Sequence, residues 1–575
     1  MSAAGDAPHP PVARVVPDVT GLDKQFDYVV PEHLRSLVDV GTLVRVPLHG
    51  RRVGGWVVAL GALDPAVSQE KLMPILKVSS LGPPPDVVAL ARWAGPRWGT
   101  DRLRPFLVAA SPPKMVADLG PSRRKVAVTP EIDVFASGVY RNPPLTDPLP
   151  LVTSVARTGP TIVVHPSHGA ARAIAARMRK AGFTVALVPD EWAAAAAGVD
   201  VVVGTRVAAW APCPGLRAVV VLDEHDDAHR EERTPNWHAR DVLAERAALA
   251  GAACVLVSPC PSATAMHWAG ARVHDVPLGE RVGGWPFLEV DDLGDVEPWK
   301  RSLVGSRLNE ALRDRAKRVV CVLNTAGRAR LLACKTCRSI QRCERCEAAV
   351  AMSDDGMLQC GRCDTVRPAV CQACGTTALK LVKPGVTRLR EELEAAANRP
   401  VVAVTGDSAD LPAADVYVGT EAVLHRVRGI DVVAFLDFDA ELLAPRYLAV
   451  EHAMALLVRA GRLVGRREGG GKVLVQTYLP HHEVLQAVQF ADPDRVIAPE
   501  LARRSMLGLP PFRALAAVEG PEAASFGAQT GLEAAPTPKG VLLRAATWEE
   551  LGRTLAATPR PKGSRLRVEV DPPRV

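Results

Sequence analysis

Arg318-Val-Val-Cys-Val-Leu-Asn324 opens a run of buried-strand character that resumes only at Pro400-Val-Val-Ala-Val-Thr405; between them stand Cys334-Lys-Thr-Cys337, Cys343-Glu-Arg-Cys346, Cys360-Gly-Arg-Cys363 and Cys371-Gln-Ala-Cys374. These four pairs hold eight of the twelve cysteines and are separated by 5, 13 and 7 residues. Two residues between cysteines let both sulfurs face one ion, and two such pairs complete a tetrahedral site. Eight cysteines therefore predict two Zn2+. Four thiolates per ion leave no position for water, so the predicted zinc is structural. The competing reading, a disulfide framework, requires an oxidising compartment, and the Pro/Ala-rich start does not read as a signal peptide. The first pair can close with the second or with the last. Five residues make the first option tight. In the nested option Cys334, Cys337, Cys371 and Cys374 hold one ion, and Cys343, Cys346, Cys360 and Cys363 hold the other. The inner set then has the spacing of a zinc ribbon, and the outer set pins the ends of the insert.

The flanking sequence is of the α/β kind. Thr161-Ile-Val-Val164, Thr184-Val-Ala-Leu-Val188, Asp200-Val-Val-Val-Gly204, Ala218-Val-Val-Val-Leu-Asp223 and Ala253-Cys-Val-Leu-Val-Ser258 are short β-branched runs with helical stretches between them. Such runs predict parallel strands covered on both faces. After the cysteines the pattern returns in Asp415-Val-Tyr-Val-Gly-Thr420, Asp431-Val-Val-Ala-Phe-Leu-Asp437 and Lys472-Val-Leu-Val-Gln-Thr477. Near the start, Ala13-Arg-Val-Val16, Phe26-Asp-Tyr-Val-Val30, Leu43-Val-Arg-Val-Pro47 and Val53-Gly-Gly-Trp-Val-Val-Ala-Leu60 predict a small β unit, followed by a helix over 85–98.

The formal charge of +7 falls to about +3 once eight thiolates and two Zn2+ are counted. That balance alone does not indicate nucleic acid. Aromatic content of 4% argues against an extended base-stacking surface. No apolar run reaches the length of a membrane span, and the expected location is the cytoplasm. Cys213, Cys254, Cys260 and Cys321 are expected as buried apolar residues, and His225, His238 and His425 as packed or surface groups, since the eight cysteines already satisfy two ions.

Several local signatures then share one order. They are Phe26-Asp-Tyr-Val-Val-Pro31, Val44-Arg-Val-Pro47, Gly204-Thr-Arg206, Asp223-Glu-His-Asp226, Trp237-His-Ala-Arg-Asp241, Leu323-Asn324 leading into the cysteines, Gly419-Thr-Glu421, Leu436-Asp-Phe-Asp439 and Met506-Leu-Gly-Leu-Pro-Pro511. Together, over nearly the whole chain, they resemble the PriA (primosomal protein N′) family of replication-restart proteins. The resemblance implies a multidomain α/β architecture. Its parts are an N-terminal β domain binding a DNA 3′ end (1–110), a linker or winged-helix remnant (111–150) and a RecA-like lobe (151–276). A second lobe (277–330 and 379–480) is interrupted by the two-zinc module (331–378), and a small α+β domain (481–575) closes the chain.

The resemblance fails where ATP chemistry belongs. A P-loop needs a Gly-rich turn ending in Lys-Ser/Thr. Its expected place reads Val152-Thr-Ser-Val-Ala-Arg-Thr-Gly-Pro160, and no lysine stands between Lys125 and Lys180. Leu424-His-Arg-Val-Arg-Gly429 and Val458-Arg-Ala-Gly-Arg-Leu-Val-Gly-Arg466 are blurred as well. The expectation is a degenerate member in which Asp223, Glu224, Arg462 and Arg466 are vestiges and ATP is doubtful. Such a protein recognises stalled or abandoned forks and D-loops and nucleates helicase loading. The alternative is an active ATP-dependent 3′→5′ DNA helicase with a diverged nucleotide site. Expected partners are forked and single-stranded DNA, other primosome proteins, the replicative helicase or its loader, and single-stranded DNA-binding protein, with no membrane. The family's 3′-end pocket maps to Phe26, Asp27 and Gly50, with Arg51 and Arg52 beside it for phosphate. A basic residue of that pocket is replaced by Met73.

Overall fold

The computed structural model describes residues 11–22, 24–61, 72–125, 135–294, 303–323, 332–353, 355–360, 363, 365–381, 386–404, 411–561 and 566–573. Asn324, Thr405 and the first ten residues lie outside them. The chain forms two compact units, one from 1–139, 148–257 and 508–571, the other from 140–147, 258–507 and 572–575.

The first unit begins with a five-stranded antiparallel sheet. Its spatial order is Phe26–Val29, Val12–Pro17, Arg51–Gly61, Leu43–Leu48, Lys77–Ser80. Ala13, Val15, Tyr28, Val44, Val46 and Val57 alternate into its core. The helix Pro85–Arg97 starts with proline at its first position, where a missing N–H costs nothing. It buries Val87, Val88, Leu90, Ala91 and Ala94. The helix Trp548–Ala557 comes so near that a Cβ on Gly552 would stand 1.7 Å from the Pro96 carbonyl oxygen. Glycine is the residue that permits this approach.

The same unit holds parallel strands in the order Ala253–Val257, Ala218–Leu222, Thr161–Val164, Val201–Gly204, Val185–Leu187. Nearly every residue in them is buried, which is why they read as continuous valine runs rather than alternating ones. An antiparallel sheet ordered Glu533–Thr537, Gly540–Ala545, Ala514–Glu519, Arg567–Val570 completes the unit.

The second unit is built on six parallel strands ordered Leu288–Asp292, Lys472–Thr477, Val432–Phe435, Val319–Val322, Val416–Gly419, Val402–Val404. Alternate residues feed two cores. Val320, Val322, Val433 and Phe435 enter one; Val319, Cys321, Val432 and Ala434 enter the other. The cysteine insert departs after Val319–Val322, and Ala349 returns it to the lobe by donating its N–H to the Leu443 carbonyl at 2.9 Å.

Two details differ from the sequence reading. Residues 111–150 include a strand, Gly138–Arg141, and the start of the helix Leu149–Ala156. That helix occupies most of 152–160, so the strand-to-helix turn that a P-loop needs lies earlier, at 142–148. At the other end, the helices Glu483–Gln489 and Asp494–Leu507 belong to the second unit, and the antiparallel C-terminal sheet starts only after them.

Candidate metal centre and nucleic-acid interface

The four cysteine pairs share one backbone hydrogen bond. The first cysteine's N–H donates to the carbonyl five residues on: Cys334 to Ser339 at 3.0 Å, Cys343 to Ala348 at 2.8 Å, Cys360 to Thr365 at 2.9 Å and Cys371 to Thr376 at 2.8 Å. The residue after the second cysteine reverses the chain through positive φ at Arg338 (63°), Glu347 (59°) and Gly375 (73°). The turns gather the sulfurs into two groups, Cys334, Cys337, Cys371 and Cys374, and Cys343, Cys346, Cys360 and Cys363, each with its ligand atoms within 4.8 Å of one another. This is the nested arrangement.

The donor sets fit zinc. Closest sulfur–sulfur distances are 3.5 Å for Cys334–Cys374 and Cys337–Cys371. In the inner group they are 3.4 Å for Cys343–Cys363 and Cys346–Cys363, and 3.5 Å for Cys346–Cys360. A tetrahedron with Zn–S bonds of about 2.3 Å has edges of about 3.8 Å. Thr336 and Cys337 donate N–H bonds to Cys334 Sγ at 3.3 and 3.4 Å, as Arg345 does to Cys343 Sγ at 3.4 Å. Such bonds stabilise thiolate charge and orient the ligands. The other four cysteines are buried thiols. Burial pushes Cys213 up to about 11 and Cys321 up to about 12, so neither is a thiolate at neutral pH.

In the N-terminal sheet, Phe26 and Asp27 start the edge strand. Phe26 is half-buried and packs on the domain core. Asp27 stands opposite Arg14, whose Nε and Nη2 donate to its two carboxylate oxygens at 2.9 and 3.2 Å. Arg14 was not among the residues expected at the pocket. Only the register of the two strands sets it against Asp27, and no local pattern in the sequence signals that. His49 and Gly50 both have positive φ, 48° and 75°, the signature of a two-residue hairpin turn. Gly50 is thus demanded by the turn itself. The Tyr28 hydroxyl donates to the Pro47 carbonyl at 3.1 Å, tying the Phe26 strand to the strand that enters this turn. Met73 is 55% exposed, and its carbonyl accepts the Val29 N–H at 3.1 Å. Arg51 and Arg52 are exposed beyond the turn.

Asp223 and Glu224 follow the strand Ala218–Leu222 and are both buried. Asp223 has φ 51°, and its Oδ2 is 3.5 Å from His165 Nε2. Glu224 accepts from Arg240 Nη1 at 2.7 Å, and Arg240 Nε donates to Asp241 at 2.8 Å. Arg97 then joins Asp241 at 3.6 Å to Asp571 at 3.1 Å, and Trp548 Nε1 donates to Asp571 at 2.8 Å. Burial opposes the Arg240 charge, but Asp241 and Glu224 outweigh it and hold the guanidinium protonated. Burial likewise opposes the Asp241 charge, yet Arg240, His238 and Arg97 hold that carboxyl well below its usual range. His238 caps the helix Ala239–Ala250, its ring accepting the Arg240 N–H at 3.2 Å.

The turn at 142–148 has little left to cradle a phosphate. Pro143, Pro144 and Pro148 have no N–H. Asn142 donates its N–H to Ser258, Leu145 to Gly284 and Thr146 to Pro143, at 3.3, 3.0 and 3.0 Å. A Cβ on Gly284 would meet Pro143 at 2.4 Å, so the segment is packed closely on that side. Arg462, on the helix Ala449–Val464, donates to the Pro144 carbonyl at 3.1 Å. Arg466 lies beyond that helix and is exposed.

Residues 14–101 match the family model of the PriA 3′DNA-binding domain (3′BD). The chain is 30% identical over 590 residues to the probable replication restart protein PriA of Mycobacterium tuberculosis (strain CDC 1551 / Oshkosh), covering 88% of this chain and 85% of that one. The chain belongs to the PriA family. It is also 27% identical over 366 residues to replication restart protein PriA of Synechocystis, covering 56% of this chain and 43% of that relative, so there the match spans less than half of the relative's length. The structure of S. cerevisiae Dbp5 bound to RNA and ADP BeF3 overlaps 73% of this chain and 98% of its own, at 12% identity and a TM-score of 0.34, a likeness too loose to add to what the sheets show. This PriA family member therefore carries a recognisable 3′DNA-binding domain and two four-cysteine clusters able to hold metal ions. Among its described residues no helix is long and apolar enough to cross a membrane.

Proposed function

We propose that this PriA family member acts in the cytoplasm as a fork-recognition and assembly protein for replication restart, and that it does so without hydrolysing ATP. The observation that carries the second half is the 142–148 turn, where three prolines and three internally bonded amides replace a phosphate cradle. No lysine is present there to stabilise a transferring phosphoryl group. Glu224 supports the same reading, because a carboxylate committed to Arg240 is poorly placed to orient water. The two clusters each take one Zn2+, which supplies folding free energy to the insert. The insert is then a rigid platform for primosome proteins, the replicative helicase or its loader, or single-stranded DNA-binding protein. Forked and single-stranded DNA are the nucleic-acid partners.

For the first half, Phe26, Asp27, Gly50 and Arg51 form the 3′-end site. The Asp27 carboxylate accepts the terminal hydroxyl and disfavours a terminal phosphate. Arg14 shares that carboxylate and tempers the discrimination. Forks with a nascent 3′-OH should bind about tenfold more tightly than forks with a 3′ phosphate, a difference of about 1.4 kcal/mol. Asp27→Ala should remove the preference with little loss of affinity, since phosphate contacts supply most of the binding. Arg14→Ala should widen the preference. Fluorescence anisotropy at fixed salt measures all three; equal affinities for the two ends in the unaltered protein would remove the pocket assignment. Arg51→Ala should weaken every fork similarly and lower the salt slope by about 1.

A further inference from the structure

Two zinc sites so near in sequence need not depend on each other, but the buried residues around these clusters are joined. Gln341 lies between the cysteine pairs of different clusters and is 1% exposed. Its amide nitrogen donates to Cys371 Sγ of the outer cluster at 3.3 Å, and also to the Ser339 carbonyl at 2.9 Å. The Ser339 hydroxyl is itself 3.2 Å from Cys371 Sγ and 3.3 Å from Cys337 Sγ. The Gln341 amide oxygen faces the other way. It accepts from Arg367 Nη2 and from the Gln372 N–H, both at 3.3 Å.

Arg367 belongs to the inner cluster's sheet. Its strand, Val366–Pro368, pairs with Met357–Cys360, which ends on a ligand of that cluster. Arg367 is 9% exposed, and its guanidinium also donates to the Val370 carbonyl at 2.7 Å and the Arg342 carbonyl at 3.4 Å. Among the described residues no carboxylate pairs with it. A buried cation without a carboxylate is costly unless negative charge lies close by. Four thiolates around one Zn2+ carry a net charge of −2, and Gln341 links Arg367 to one such group through Cys371 Sγ.

We propose that Gln341 and Arg367 are positioning residues that bridge the two four-cysteine clusters, so that neither ion is held at full strength unless the other cluster is loaded. The inference rests on the zinc reading. Loss of the outer ion frees Cys371 from its orienting donor, lets Gln341 turn and withdraws the acceptor that fixes Arg367. Loss of the inner ion loosens the strand that carries Arg367 and reverses the sequence.

The test uses the full chain. Zinc per chain is first counted by elemental analysis, and release is then followed with excess EDTA and a chromogenic zinc indicator. The unaltered protein should contain two ions and release both in one kinetic phase. Gln341→Met and Arg367→Met should each split release into two phases, one about 10-fold faster, the lower end of what loss of an outer-shell partner costs. Arg367→Lys, which keeps a cation and a donor, should restore most of the single phase. Cys374→Ser, at the exposed end of the outer cluster, should speed release of the remaining inner ion; in an Arg367→Met background it should add no further acceleration. Two ions that leave the unaltered protein in independent phases, with the inner rate unchanged by Cys374→Ser, would overturn the bridge and leave the zinc reading intact. A protein without zinc overturns both.

Discussion

Cys360→Ser should empty the inner cluster and unfold the insert locally, lowering zinc from two ions per chain to one or none. Cys360 is fully buried, and its strand pairs with both neighbours in the three-stranded sheet of the insert. That sheet is tiny. Among the described residues, the buried cluster around it holds Leu332, Cys343, Ala348, Val350, Leu358 and Cys360, so two of its six members are cysteines of the inner group. So small a core cannot offset the chain entropy of ordering the insert. Metal binding must supply the difference, and structural zinc sites contribute on the order of 10 kcal/mol. The six-stranded parallel sheet has two cores of its own and should survive. Limited proteolysis should therefore cut within 331–378 first, while far-ultraviolet circular dichroism changes little. A variant that keeps two ions and the parent's protease resistance would contradict this account of the insert.

Arg240→Met should destabilise the first unit by about 3–5 kcal/mol, the cost of leaving a buried charge without its partner. The substitution removes the guanidinium bonded to both Glu224 and Asp241, leaving Asp241 its longer pairing with Arg97 at 3.6 Å. The pH dependence separates this from a simple packing defect. In the unaltered protein Asp241 is held below its usual range, so its stabilisation is complete above the ordinary aspartate value near 4 and is lost only as pH falls further. In Arg240→Met the buried carboxylates instead resist ionisation. Stability should then rise as pH falls from 7 toward 5, opposite in sign to the parent at its acid limit. Urea unfolding at pH 7 and pH 5 measures this; an equal loss at both would assign Arg240 a packing role alone.

What the sequence disclosed and what it withheld have physical reasons. Ligands that share an ion must keep short, fixed spacings, so four Cys-x2-Cys pairs were visible without any tertiary knowledge. The strands Ala218–Leu222 and Val432–Phe435 were visible because both faces of a parallel sheet are covered. The strand Gly138–Arg141 was not. Four residues with Pro143 two positions on carry no periodic signal, so the sequence pattern places the turn after it too late in the chain. Arg14 opposite Asp27 depends on strand register. The line from Glu224 through Arg240, Asp241 and Arg97 to Asp571 joins residues hundreds of positions apart, and no local pattern announces it.

Fork-stimulated phosphate release from ATP and Mg2+, measured with the full chain and with Asp223→Asn, decides whether the protein hydrolyses ATP. Both should be indistinguishable from the protein-free rate on forks with and without a nascent 3′-OH. A turnover above about 0.1 per second that Asp223→Asn abolishes would contradict the account and restore the helicase reading, since enzymes that transfer phosphoryl groups commonly run at about 1–100 per second.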